Sequence, residues 1–105
     1  MSKPKILHLA LKGEYFDAIK SGKKRIAYRK CSDYWVKRLW DNKTKNERQY
    51  DFVHVTRGYP NKNDTEKHLW FRYNGWYHQI LQRKEFGPDE VLVYAIRLTS
   101  PITEM

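Results

Sequence analysis

The chain has 105 residues, of which 40% are hydrophobic and 15% aromatic, and a formal net charge of +9. That length holds one hydrophobic core, so a single domain over 1–105 is expected, and so many rings argue against a disordered chain. No apolar run approaches the ~20 residues that cross a bilayer or forms a signal peptide, which points to a cytoplasmic protein with no membrane partner. The single cysteine, Cys31, excludes an internal disulfide.

In chain order, the apolar run 5–11 reads as a buried strand with Leu7, Leu9 and Leu11 on one face. Residues 14–21 place Tyr15, Phe16, Ala18 and Ile19 at helical spacing. Glu14 and Asp17 sit where the helix dipole favours acid, and Gly22 supplies the left-handed stop. Residues 23–31 read as a second strand, with Lys24, Ile26 and Tyr28 on one face and Arg25, Ala27 and Arg29 on the other. Ser32 or Asp33 caps a second helix over about 33–41, with Val36, Leu39 and Trp40 as its buried stripe. Residues 41–49 read as a loop and 50–56 as a third strand, ended by Gly58 and Pro60.

After a polar loop at 61–67 come two aromatic runs, 68–73 and 76–82, around Asn74-Gly75. That dipeptide predicts a two-residue hairpin, because both turn positions need positive φ. Residues 83–90 read as a loop and 91–99 as a closing strand. The sum is an α+β fold of about six strands and two helices in the N-terminal half. An early βαβ unit followed by antiparallel pairs suggests a small, partly closed barrel.

Charge is unevenly placed. Residues 1–50 hold 14 Lys+Arg against 5 Asp+Glu, and residues 51–105 hold 7 against 7. A one-sided basic surface attracts polyanions, nucleic acid being the commonest. The cations Lys12, Lys23, Lys24, Arg25, Arg29, Lys37, Arg38 and Arg57 interleave with Trp35, Trp40 and Tyr59. Charges that track phosphates and rings that stack bases are what single-stranded nucleic acid requires. At least two of the four tryptophans are expected to be plain core packing.

Residues 6–29 carry a further pattern: strand Ile6–Leu11, helix from Glu14 to Ile19, then Ser21-Gly22-Lys23-Lys24 and a strand ending Tyr28-Arg29. This resembles the ASCH domain, a branch of the PUA-like superfamily, whose mark is a helix running into Gly-x-Lys and a strand ending in Arg. Ser32-Asp33-Tyr34-Trp35 and Arg57-Gly58-Tyr59 extend the likeness to small phage and bacterial ASCH proteins. The resemblance covers about residues 5–60. It implies a PUA-like barrel with a basic cleft around Gly22-Lys23-Lys24 and an RNA-related role. Some members resemble acetylcytidine amidohydrolases, others act as ribonucleases, and many are RNA binders.

In the amidohydrolase-like members the motif lysine, here Lys24, belongs to a catalytic set with a threonine three residues on and a downstream glutamate. Lys23, Arg25 and Arg29 would crowd Lys24 toward a neutral, basic form. The threonine position is Ala27, and Glu66 and Glu85 are the downstream glutamates, both in expected loops. Lys24 is therefore read as a phosphate contact, a catalytic base or a solvated strand lysine. Tyr28 is read as a base-stacking ring, an acid or core, and Arg29 as a phosphate fork or an ion pair to Asp17 or Asp33. The four histidines show no metal spacing, so no metal or cofactor is expected, and Cys31 reads as packing. Three functions stay open: an RNA or other nucleic-acid binder, a hydrolase acting on RNA or a modified nucleoside with Lys24 and Tyr28 catalytic, and a phage inhibitor docking on an acidic host protein.

Overall fold

The computed structural model describes residues 3–82 and 89–102. Among them are strands β1 (Ile6–Leu11), β2 (Ile26–Lys30), β3 (Trp40–Asp41), β4 (Asn46–Glu47), β5 (Phe52–Arg57), β6 (His68–Arg72), β7 (Trp76–Leu81), β8 (Val91–Arg97) and β9 (Pro101–Ile102). Helices α1 (Gly13–Lys20) and α2 (Asp33–Leu39) fall in the N-terminal half, and Thr65–Lys67 is a short 3-10 turn. The α+β class is as expected, with more and shorter strands than the six read from the sequence. No described helix is long and apolar enough to cross a membrane. The expected loop at 83–90 lies mostly outside the described residues.

The chain divides into two compact units. One is built from Met1–Ile26, Tyr50–Asn74 and Arg97–Met105, the other from Ala27–Gln49 and Gly75–Ile96.

The first unit holds a four-stranded sheet in the order β1-β5-β6-β9. β1 runs parallel to β5, with Ile6 opposite Phe52 through Leu11 opposite Arg57. The expected early βαβ unit is thus corrected: β1 takes β5 as its neighbour, and β2 joins another sheet. Alternation places Leu7, Leu9, Leu11, Val53 and Val55 on one face, all buried, as are Phe16 and Ile19 of α1. Burying a leucine or phenylalanine side chain contributes about 2–3 kcal/mol. Helix α1 has no side-chain cap at Lys12, so packing of Phe16 and Ile19 holds it. Gly22, at φ +84°, ends it as expected.

The second unit holds a three-stranded sheet, β2-β8-β7, and a two-stranded one, β3-β4. In β8, Val93, Tyr94, Ala95 and Ile96 are buried in succession, so this central strand is covered on both faces. Ser32 caps α2, its hydroxyl accepting from the Trp35 amide at 3.4 Å. The expected loop at 41–49 is a tight hairpin instead. Lys45 takes φ +58°, and the Asp41 carboxylate accepts from the Lys43 amide at 2.9 Å. That amide holds the Asp41 carboxyl below its usual range.

The Asn74-Gly75 hairpin is the main correction. β6 pairs with β5 and β9, and β7 pairs with β8. Gly75 has positive φ (+77°) but Asn74 does not, so the turn that pairs flanking strands cannot form. Asn74 instead donates its side-chain amide to Thr99 Oγ1 at 2.7 Å and Ser100 Oγ at 2.8 Å. Those bonds to a segment 25 residues away outweigh the local turn preference.

Candidate nucleic-acid interface

Lys12 follows the C-terminal end of β1, and Arg57 ends the neighbouring β5 just ahead of Gly58 and Tyr59. Leu11 lies opposite Arg57, and Lys12 follows it directly into α1. The Arg57 side chain lies close against Gly13, where an added Cβ would collide with the guanidinium. Arg57 Nε meets Asp17 Oδ1 at 3.4 Å, and both side chains are exposed, so the pair is a weak restraint. The turn after β5 is fixed by bonds to Gly58, which has φ +66°. Its amide donates to the Leu11 carbonyl at 2.8 Å, and the Thr56 hydroxyl donates to its carbonyl at 2.7 Å. Tyr59 is thereby held 97% exposed. A large ring left almost wholly in water in the turn after Arg57 is poor economy for stability and suited to stacking.

Lys23, Lys24 and Arg25 lie at the other end of α1. The eight-residue helix keeps them roughly 12 Å from Lys12. The Lys24 amide donates to the Ala18 carbonyl at 3.1 Å, and the Arg25 carbonyl accepts from Leu98 at 2.8 Å. Lys23 and Arg25 are exposed; Lys24 is half-buried, its ammonium 4.8 Å from the centre of the Tyr15 ring.

In the second unit, Arg29 Nη1 donates to the Tyr28 carbonyl at 2.9 Å, and its guanidinium stands over Trp35 at 5.3 Å. Arg38 lies over Tyr34 at 4.2 Å, and Tyr34 meets Trp35 edge to face at 5.2 Å. Arg29, Trp35, Tyr34 and Arg38 therefore form a row of two adjoining rings flanked by two cations, a surface suited to single strands. Tyr34, 57% exposed, was missed as a site residue. Its i,i+4 spacing from Arg38 on α2 was the available signal. Lys37 is exposed and its carbonyl accepts from Arg48 Nε at 2.6 Å. None of the four tryptophans is fully buried, contrary to the expectation that two would be core.

Among the described residues the amidohydrolase set is not assembled. Ala27 is 2% exposed and offers no hydroxyl. Glu66 lies in the 3-10 turn, where its backbone carbonyl accepts from Lys20 Nζ at 2.9 Å. Glu85 lies outside the described residues. Cys31 Sγ sits 3.7 Å from His78 Nδ1, a nucleophile–base arrangement in outline. Burial pushes the thiol up, away from the thiolate that such chemistry needs. Burial also raises the neighbouring Tyr94 hydroxyl, with a further contribution from Cys31.

Among the described residues no group of three or more His, Cys, Asp or Glu could hold a metal ion. Three histidines nevertheless meet on the four-stranded sheet, His8 opposite His54 and His54 bonded to His68. No family model matches the chain, and no curated protein or solved structure matches it.

Proposed function

We propose that this chain is an RNA-binding protein of the ASCH, PUA-like type that holds single-stranded or structured RNA on cations and exposed rings. The observation that carries the reading is Tyr59, 97% exposed one residue beyond Gly58, in the turn that follows Arg57 at the end of β5. Lys23, Lys24 and Arg25 extend the basic surface of that unit, and Arg29, Trp35, Tyr34 and Arg38 repeat the cation–ring pattern in the other. The ASCH assignment is supported by the order of elements: strand β1, helix α1, Gly22-Lys23-Lys24 and strand β2. Binding without turnover is favoured over hydrolysis because Ala27 stands where the hydrolase set needs a hydroxyl.

The test is fluorescence anisotropy of a labelled single-stranded RNA at graded salt. Affinity is expected to fall at least about tenfold between roughly 50 and 200 mM salt. Tyr59→Ala is expected to cost about 1 kcal/mol of binding through lost stacking. Salt-independent binding, or a Tyr59→Ala protein that binds like wild type, would remove the reading's foundation.

A further inference from the structure

The face of the four-stranded sheet opposite Leu7, Leu9, Val53 and Val55 carries His8 on β1, His54 on β5, and His68 and Trp70 on β6. His54 is the centre of a chain of hydrogen bonds. Its Nδ1 meets His8 Nδ1 at 3.2 Å, and its Nε2 meets His68 Nδ1 at 2.9 Å. His68 Nε2 meets the Asn61 carbonyl oxygen at 2.9 Å. The His54 and His68 rings are only 12° from parallel with centroids 5.1 Å apart, as two rings joined edge to edge would be. Trp70 stacks on His54 at 4.1 Å and 5°.

The tautomers follow from one fixed end. A carbonyl only accepts, so His68 Nε2 carries a proton and donates. In a neutral ring His68 Nδ1 must then accept, so His54 Nε2 donates. His54 Nδ1 must accept in turn, so His8 Nδ1 donates. The chain ends at His8 Nε2, a lone pair on an exposed ring. Both ring nitrogens of His54 and of His68 are committed, so a proton added to the neutral chain enters at His8 Nε2. That proton turns the chain's one outward acceptor into a cationic donor.

We propose that this face is a phosphate-binding site switched on by protonation of His8, taking a phosphate of a bound polyanion on His8 Nε2–H. The inference rests on the nucleic-acid reading for the polyanion's identity, and on the histidine geometry for the site. Burial first, then the charges of His8 and His68, hold His54 down to about 4, which keeps the added charge off the chain's centre.

Among the described residues the surroundings carry little that would neutralise that charge. On the same face, alternation places Ile6 and Ala10 on β1, Phe52 and Thr56 on β5, and Arg72 on β6. Ile102 of β9 lies opposite Trp70. The segment that supplies Asn61 carries Lys62, exposed Glu66, and Asp64, whose carboxylate is paired to Lys67 at 3.1 Å. Arg72 adds a second positive group, and among the described residues no carboxylate occupies a register position on this face.

The experiment measures anisotropy of a labelled single-stranded RNA at constant ionic strength, at about pH 7.5 and about pH 5.5. Wild type is expected to bind about tenfold tighter at the lower pH, the worth of one charge-assisted hydrogen bond. His8→Gln and His54→Gln should each reduce that ratio to about one to two, and His78→Gln, outside the chain, should keep it. Binding at both pH values with no ratio in wild type, or a ratio that survives His8→Gln, overturns the proposal. Absence of RNA binding at either pH fells the nucleic-acid reading instead. Titration with inorganic phosphate at the lower pH, followed by the His8 ring signals, then decides the site: shifts uphold it and their absence overturns it. Imidazole nitrogen NMR of the wild-type protein near pH 7.5 checks the chain without any variant. It should show the proton on Nδ1 of His8 and on Nε2 of His54 and His68, and any other pattern overturns the proposal.

Discussion

The four-stranded sheet has two faces drawn from alternate residues of the same strands, and they carry different chemistry. One holds Leu7, Leu9, Leu11, Val53, Val55 and Phe71, all buried. The other holds His8, His54, His68 and Trp70, exposed or half-buried and joined by directional bonds. The first face needs only apolar volume, so its contribution is large and insensitive to pH. The second depends on which nitrogen holds a proton, so its contribution is small and follows pH. The two-residue repeat lets one strand serve both ends without compromise.

Three measurements sharpen or break that contrast. Leu9→Ala, at 1% exposure, should lower unfolding free energy by about 3 kcal/mol in urea denaturation near neutral pH. A cost below about 1 kcal/mol would show that the apolar face is not where stability resides.

The next effect is smaller and pH-linked. His54 binds its proton near 4 when folded and at its ordinary value, near 6.5, when unfolded. Between those values the unfolded chain holds more protons, so stability is full above about pH 6.5 and falls as pH drops toward 4. With His54 only partly buried and screened by water, the loss should be about 1 kcal/mol. His54→Gln should flatten this part of the stability curve, and a curve unchanged by the substitution would contradict the assignment.

The smallest effect belongs to the chain's exposed end. His8→Ala removes one hydrogen bond at the surface and should cost about 0.5 kcal/mol. A larger loss than at Leu9 would invert the comparison.

Much of this arrangement could be read along the chain. Leu7, Leu9 and Leu11 alternate at strand spacing, Phe16 and Ile19 share a helical face, and Gly22 ends α1 where its missing Cβ permits positive φ. Those features depend on neighbours within a few residues, which is the range over which periodicity and backbone sterics act. The mixture of cations and rings around Trp35 and Arg38 was legible for the same reason, but Tyr34, the ring under Arg38, was not read as part of it.

Partner choice was not. Asn74-Gly75 has every local mark of a hairpin, yet Thr99 and Ser100 claim the asparagine and the flanking strands enter different sheets. β1 pairs in parallel with β5 and not with β2, the next strand along the chain. The histidines, at positions 8, 54 and 68, have no spacing that signals anything. They meet because register sets His8 against His54, and β5–β6 pairing brings His68 within 2.9 Å of it. Sequence alone thus determined the longer elements, the buried faces of β1 and α1 and the excess of positive charge, because these are local or additive, while β3, β4 and β9 and the half-burial of Val36 and Trp40 were not legible in it. Only the tertiary structure decided which strands pair and which imidazoles share a proton, because those are contacts between residues about 14 to 46 positions apart, settled by the packing of the folded chain.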